Sequence, residues 1–382
     1  MPERWLARCY LPALLVDLRT PAPSGELSMN RHREALGATR TLLTAHCTVT
    51  RRALLHTAGG IAFASCCPGG AVFAETFTRR IPQAPSARVI VDNDLGGDPD
   101  GLVALAHQLL TPKTKTVLIT TTALDPRSGK ARAAAAREVA QELMRRLEIE
   151  PAPPVEVGAE TPATGASPAA KAIVSEAMRD DPLPLFLTCG GPLTNVAAAL
   201  LLAPKIAQRM TLVWIGGGAY PHGGWEYNLA MDVDAARHVI EHTDVPLWQV
   251  PQSTYRLMEY SIAEMTADLR PISPFTEWLY DRFTSPPDFI KLGGTWPLGD
   301  SPLVLVTALS TESSSYVNRA ARRIEADLHY GAEIPGRSVR VFESVDARLV
   351  FADFLALLRL HANKGVSSVS PPLQRGDQSR SS

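Results

Sequence analysis

The chain has 382 residues, 45% of them hydrophobic, a formal net charge of -1, and Lys and Arg dispersed rather than gathered into a stripe. That balance gives no electrostatic reason to expect a nucleic-acid partner. The length accommodates one large domain or two modest ones around a sizeable core.

Residues 1–85 read differently from the rest. Arg51 and Arg52 open a small-residue apolar run that reaches Ala74 without an acidic side chain. A basic start, an apolar middle and small residues at Val72 and Ala74 predict an export signal over about residues 50–74. The paired arginines resemble a twin-arginine signal, which implies a periplasmic destination; a variant of this reading attaches lipid at Cys66. The run is too short and too glycine-rich for a stable membrane span. Residues 1–49 sit awkwardly ahead of such a signal, and a start of translation nearer Arg51, for instance at Val49, would account for them. Cys9, Cys47, Cys66 and Cys67 all lie in this leader. Cys189 alone would survive cleavage, so neither an intrachain disulfide nor a cysteine metal site is expected.

From residue 86 to 363 one domain is predicted. The run Val89-Ile90-Val91 reads as a buried strand, and Leu102, Leu105 and Leu109 mark a helix after it. Strands are then expected at 116–122, 154–158, 184–189, 210–215, 246–250 and 339–342. Helices are expected at 130–147, 169–179, 193–202, 233–242 and 347–360. Repeated β-then-α units predict an α/β domain with a mainly parallel central sheet and helices on both faces. Residues 364–382, rich in Ser, Pro, Gln and Arg, read as a disordered tail.

The turn after the first strand holds four aspartates, Asp92, Asp94, Asp98 and Asp100. Such a group repels itself unless cations or protons neutralise it, and an all-oxygen cluster suits Ca²⁺ or Mg²⁺ better than zinc. Thr188-Cys189-Gly190-Gly191 and Gly216-Gly217-Gly218 also follow strands directly. In such sheets ligands sit beyond the carboxyl ends of the strands, so the three loops are candidates for one crevice. Structural readings stand beside these. Asp100 would cap a helix, Asp92 would fix the loop through backbone N–H groups, Asn228 would serve a turn and Asp300 would cap a helix before Pro302. Cys189 reads as a small buried residue.

Asp92-x-Asp94-x-Gly96, Gly191-Pro192-Leu193-Thr194-Asn195, Glu226-Tyr227-Asn228 before Asp232-Val233-Asp234, and Asp300-Ser301-Pro302 follow the order found in nucleoside hydrolases. The chain resembles that family, with its Rossmann-like fold, over about residues 88–360. The resemblance implies hydrolysis of the N-glycosidic bond of a ribonucleoside or related N-riboside, with one bound Ca²⁺. It implies that Asp94 ligates the metal and activates water, that Asp300 and the Gly190 carbonyl are further ligands, and that Glu226 and Asn228 hold sugar hydroxyls. The family usually has adjacent aspartates where this chain has Asp98-Pro99-Asp100; Asp100 is expected on the metal and Asp98 facing sugar or metal, as a substrate-binding candidate. A histidine common before the late aspartate is Gly299 here, and a sugar-binding asparagine ahead of Glu226 has no counterpart. Tyr220 and His222 lie in that region as substrate-binding candidates, and His222 or Tyr255 would serve the leaving group. The partner expected is a small N-glycoside, with self-association left open. Two other readings compete: a metal-dependent carbohydrate-binding protein without turnover, and a haloacid-dehalogenase-type phosphatase with Asp92 as nucleophile.

Overall fold

A computed structural model describes residues 81–97, 99–123, 133–160, 166–286 and 292–367. The expected signal and residues 1–80 of the expected leader, Asp98, and residues 368–382 of the expected tail lie outside the described residues.

Strand β1 (Ala87–Asn93) is buried along its whole length, as its run of β-branched residues requires. It leads to helix α1 (Asp100–Leu110), then to β2 (Thr114–Thr121), α2 (Ala133–Arg146) and β3 (Val155–Val157). Helix α3 (Pro168–Met178) precedes β4 (Leu185–Gly190), and α4 (Thr194–Leu202) precedes β5 (Thr211–Ile215). Short α5 (Tyr227–Met231) and α6 (Val233–His242) lead to β6 (Leu247–Val250). A one-turn helix, α7 (Gln252–Tyr255), follows directly.

The chain then departs from the expected alternation. Strands β7 (Glu259–Ser261) and β8 (Thr295–Pro297) form a small antiparallel pair that the sequence pattern does not announce. Strand β9 (Ser315–Ile324) turns back into β10 (Tyr330–Ser344), which is far longer than the expected 339–342. The last helix, Ala347–Ser367, runs past 360 into the first residues of the expected tail. None of the helices among the described residues is long and apolar enough to cross a membrane.

The main sheet has the order β3-β2-β1-β4-β5-β6-β10-β9. All neighbours are parallel except β10 and β9. Alternation along β1 divides two cores. Ile90 joins Leu187, Leu212 and residues of α3, α4 and α6 on one face. Val89 and Val91 join α1, α2 and the last helix on the other. The same alternation sends Asp92 towards α4 and Asn93 towards α1. Strand order reverses direction between β1 and β4, so their carboxyl ends flank the switch point where open α/β sheets bind ligands.

At the opposite end of β1, buried Arg88 pairs with Glu176 and, at 3.4 Å, with Asp181. Between α1 and the last helix, buried His107 meets Asp353 through Nε2 at 2.9 Å. Burial pushes the His107 pKa below 6.5 despite the opposing pull of Asp353. The unfolded chain therefore holds the extra proton between that lowered value and 6.5, and stability is lost as pH falls through the window. His107→Gln is expected to flatten the loss between about pH 7 and 5, checked by urea midpoints across that range; an unchanged slope would contradict it.

Candidate active site

The carboxyl ends of β1, β4 and β5 open into a cavity of about 110 Å³. Its lining includes Asp94, Asp100, Gly190, Glu226, Asn228 and Asp300, together with Ile215, Tyr227, Tyr255 and Gly299. Whole-ligand pockets typically measure roughly 300–1,000 Å³, so this one fits a sugar-sized group and leaves the rest of a larger ligand outside.

Seven sequence-predicted residues, Tyr255 included, therefore meet, from segments more than 200 residues apart. Asp94 follows β1, with its carbonyl accepting from Gly97 N–H at 2.8 Å. Asp100 is the first residue of α1, while Pro99 occupies the cap position without a side-chain bond. The Asp100 carboxylate instead accepts from the Asp300 backbone N–H at 3.1 Å. Asp300 does not cap the helix at Pro302 either, because Ser301 takes that position. Its Oδ2 accepts from Asn93 Nδ2 at 2.7 Å. Both carboxylates thus bond to segments some 200 residues away in sequence.

Glu226 is fully buried at the N-cap of α5. Its Oε2 accepts from Gly217 N–H at 2.7 Å and Leu229 N–H at 2.9 Å. Its Oε1 accepts from Asn228 N–H at 3.1 Å and from the Tyr255 hydroxyl at 2.8 Å. Burial raises the Glu226 pKa against these four donors, and burial together with Glu226 raises that of Tyr255. A carboxylate offers about four lone-pair sites. All are filled, so a sugar hydroxyl reaches Glu226 only by displacing the tyrosine hydroxyl. Asn228 spends Nδ2 on the Ile215 carbonyl at 2.9 Å, tying α5 to the end of β5.

Tyr220 and His222 are not part of this lining. The Tyr220 hydroxyl donates to the Ala320 carbonyl at 2.6 Å and its ring packs on Tyr330, 5.1 Å between centroids. The β9–β10 hairpin, absent from the sequence expectation, draws it away. His222 is exposed on the turn where Gly223 N–H donates to the Ala219 carbonyl. Of the two leaving-group candidates, Tyr255 alone lines the cavity.

Beneath the cavity lies a buried layer. Asp92 accepts from the Thr120 hydroxyl at 2.7 Å and Asn195 Nδ2 at 2.8 Å, with the Cys189 thiol at 3.5 Å. Burial raises its pKa to about 6. Its bonds come from side chains rather than from the backbone N–H groups expected. Asp92 lies outside the cavity lining, which removes the ground for a phosphatase nucleophile. Burial and neighbouring Asp92 push the Cys189 thiol up, so it is an inert packing residue. The Thr194 hydroxyl donates to Asp232 Oδ2 at 2.6 Å, and Asp232 caps α6 through Ala235 N–H. Thr194, Asn195 and Asp232 thus hold the strand-end loops together without entering the cavity.

Among the described residues, no group of three or more His, Cys, Asp or Glu side chains is drawn tightly enough to form a ready metal cluster. Asp94, Asp100 and Asp300 nevertheless share one cavity. Three carboxylates, with Gly190 in the same lining, fit a hard divalent cation by the chemistry of the donor set. Asn93 is the residue that sequence reasoning missed.

Gly190 has no room for a side chain, since a Cβ there would strike Asn93 Nδ2 and Asp300 Oδ2. Gly190→Ala is expected to lower stability by about 1–3 kcal/mol, measured by chemical denaturation.

With this geometry in view, the comparisons with known proteins are informative. Among solved structures, a plant nucleoside hydrolase, PpNRh1, superposes with a TM-score of 0.56 at 19% identity, covering 73% of this chain and 99% of that one. The purine-preferring ribonucleoside hydrolase from Gardnerella vaginalis gives 0.54 at 19% identity, covering 72% and 99%. These likenesses establish the fold. The pyrimidine-specific ribonucleoside hydrolase RihA of Salmonella arizonae is 29% identical over 154 residues, 38% of this chain and 49% of the relative. The match thus spans about half the length of that relative. Residues 89–352 match the family described as inosine-uridine preferring nucleoside hydrolase, and the chain belongs to that family.

Proposed function

We propose that this protein is an exported, Ca²⁺-dependent N-glycosidase acting on ribonucleosides or related N-ribosides. The observation that carries the reading is the meeting of Asp94, Asp100 and Asp300 in one cavity with Glu226 and Asn228. Family members are metal-dependent. Asp94, Asp100, Asp300 and the Gly190 carbonyl would hold the cation. When bound, it supplies positive charge that acidifies a nearby water and steadies the sugar.

Asp94 would take a proton from the attacking water, whose oxygen adds to the anomeric carbon as the C–N bond breaks. The bonding pair leaves with the nitrogen, which takes up a proton from solvent, while Asp94 later returns its own to solvent; the products are free sugar and free base. The reaction passes through an oxocarbenium-like state, so rigid placement of the ribose is the main contribution of the surrounding residues. Asn228 lines the sugar side, and Glu226 joins it once Tyr255 yields its place.

Turnover of a nucleoside panel with and without chelator tests the proposal. Chelation is expected to abolish hydrolysis, and Asp94→Asn to lower kcat by about 10²–10⁴-fold with the fold retained. No turnover of any N-glycoside by the calcium-loaded protein would overturn it. The saturated Glu226 and the absence of histidine from the described lining favour a second reading, a metal-dependent nucleoside or sugar binder without turnover. Calorimetric binding that needs metal, with no product over days, would favour that alternative. For export, mass spectrometry of the mature N-terminus is expected to begin after about residue 74; peptides from residues 1–45 in the mature protein would refute it.

A further inference from the structure

The Asn93 amide lies against the carboxylate that arrives from the far end of the domain. Asn93 is 1% exposed, and its Nδ2 donates to Asp300 Oδ2 at 2.7 Å. Its packing allows little rotation. A Cβ on Gly190 would strike Nδ2, and one on Gly101 would lie 2.5 Å from Oδ1. Glycine at both positions lets the amide fit between the end of β4 and the first turn of α1. Among the described residues Oδ1 has no hydrogen-bond partner, although it is buried. A buried acceptor left without a partner is unfavourable, and its presence calls for a compensating role of the donor half.

We propose that Asn93 is a positioning residue that fixes the rotation of the Asp300 carboxylate, holding Oδ2 so that its other oxygen addresses the cation. The inference rests on the metal-dependent reading above. A neutral amide suits this task. Lysine or arginine would hold the carboxylate but also oppose the cation, whereas an apolar residue would let the carboxylate turn. The Asp300 backbone is held independently by Asp100 at 3.1 Å, so Asn93 governs the side chain in particular. Outer hydrogen bonds to metal ligands commonly change metal affinity by about 10–100-fold when removed.

The test is calcium titration calorimetry on the full chain, paired with thermal denaturation of the chelated protein, for wild type and Asn93→Leu. The shape is nearly kept while the donor and the unpartnered acceptor are both removed. A loss of about 10–100-fold in Ca²⁺ affinity, with the metal-free Tm unchanged or raised, is expected. A fall in metal-free Tm with unaltered Ca²⁺ affinity would assign Asn93 a purely structural role and overturn the proposal. Should Asn93→Leu fail to fold, Asn93→Ala makes the same comparison without added bulk. Wild type that binds no Ca²⁺ would sink the underlying metal reading, and this inference with it. Equal affinities in wild type and variant would sink the positioning role alone.

Discussion

A carboxylate withdrawn from water must be matched by donors or by opposing charge, and the two ends of β1 meet that demand in different ways. At the first end, Arg88 supplies a guanidinium to Glu176 and Asp181. At the other, neutral groups do the work. Thr120, Asn195 and Cys189 surround Asp92, backbone N–H groups and Tyr255 surround Glu226, and Asn93 meets Asp300. Neutral donors satisfy geometry without cancelling charge. The described lining of the cavity contains no Lys, Arg or His, so its field remains negative and favours a cation.

This division gives the family-like motifs distinct duties. Thr194 and Asn195, in the first turn of α4, bond to Asp232 and Asp92. They brace the strand ends that carry Gly190 and Asp94. Glu226 combines both duties, capping α5 while presenting its carboxylate to the cavity. The precision of the upper layer depends on the rigidity of the lower one.

The strands buried on both faces were legible because parallel central strands read as unbroken apolar runs. Strand β9 was not, since its outer residues Ser315 to Asn318 are exposed and its arginines resemble a surface loop. Three-residue strands such as β7 and β8 are too short to show a period. The aspartates, Glu226 and Asn228 were legible through their order, which no single position carries. Asn93 was not, because its partner lies 207 residues further on and nothing local marks it. Tyr220 and His222 were placed by proximity to Glu226 in sequence, but side-chain direction in a loop depends on what packs over it. Here the β9–β10 hairpin captures Tyr220.

The ties from Asn93 and Asp100 to Asp300 also bear on the order of assembly during synthesis. A nascent polypeptide can pair β1 with β2 and β4 long before residue 300 leaves the ribosome. Until then the acidic mouth has no closing element, and its charges remain solvated and mutually repulsive. Completion of the centre is thus a late event, coupled to docking of the C-terminal third rather than to formation of the early sheet.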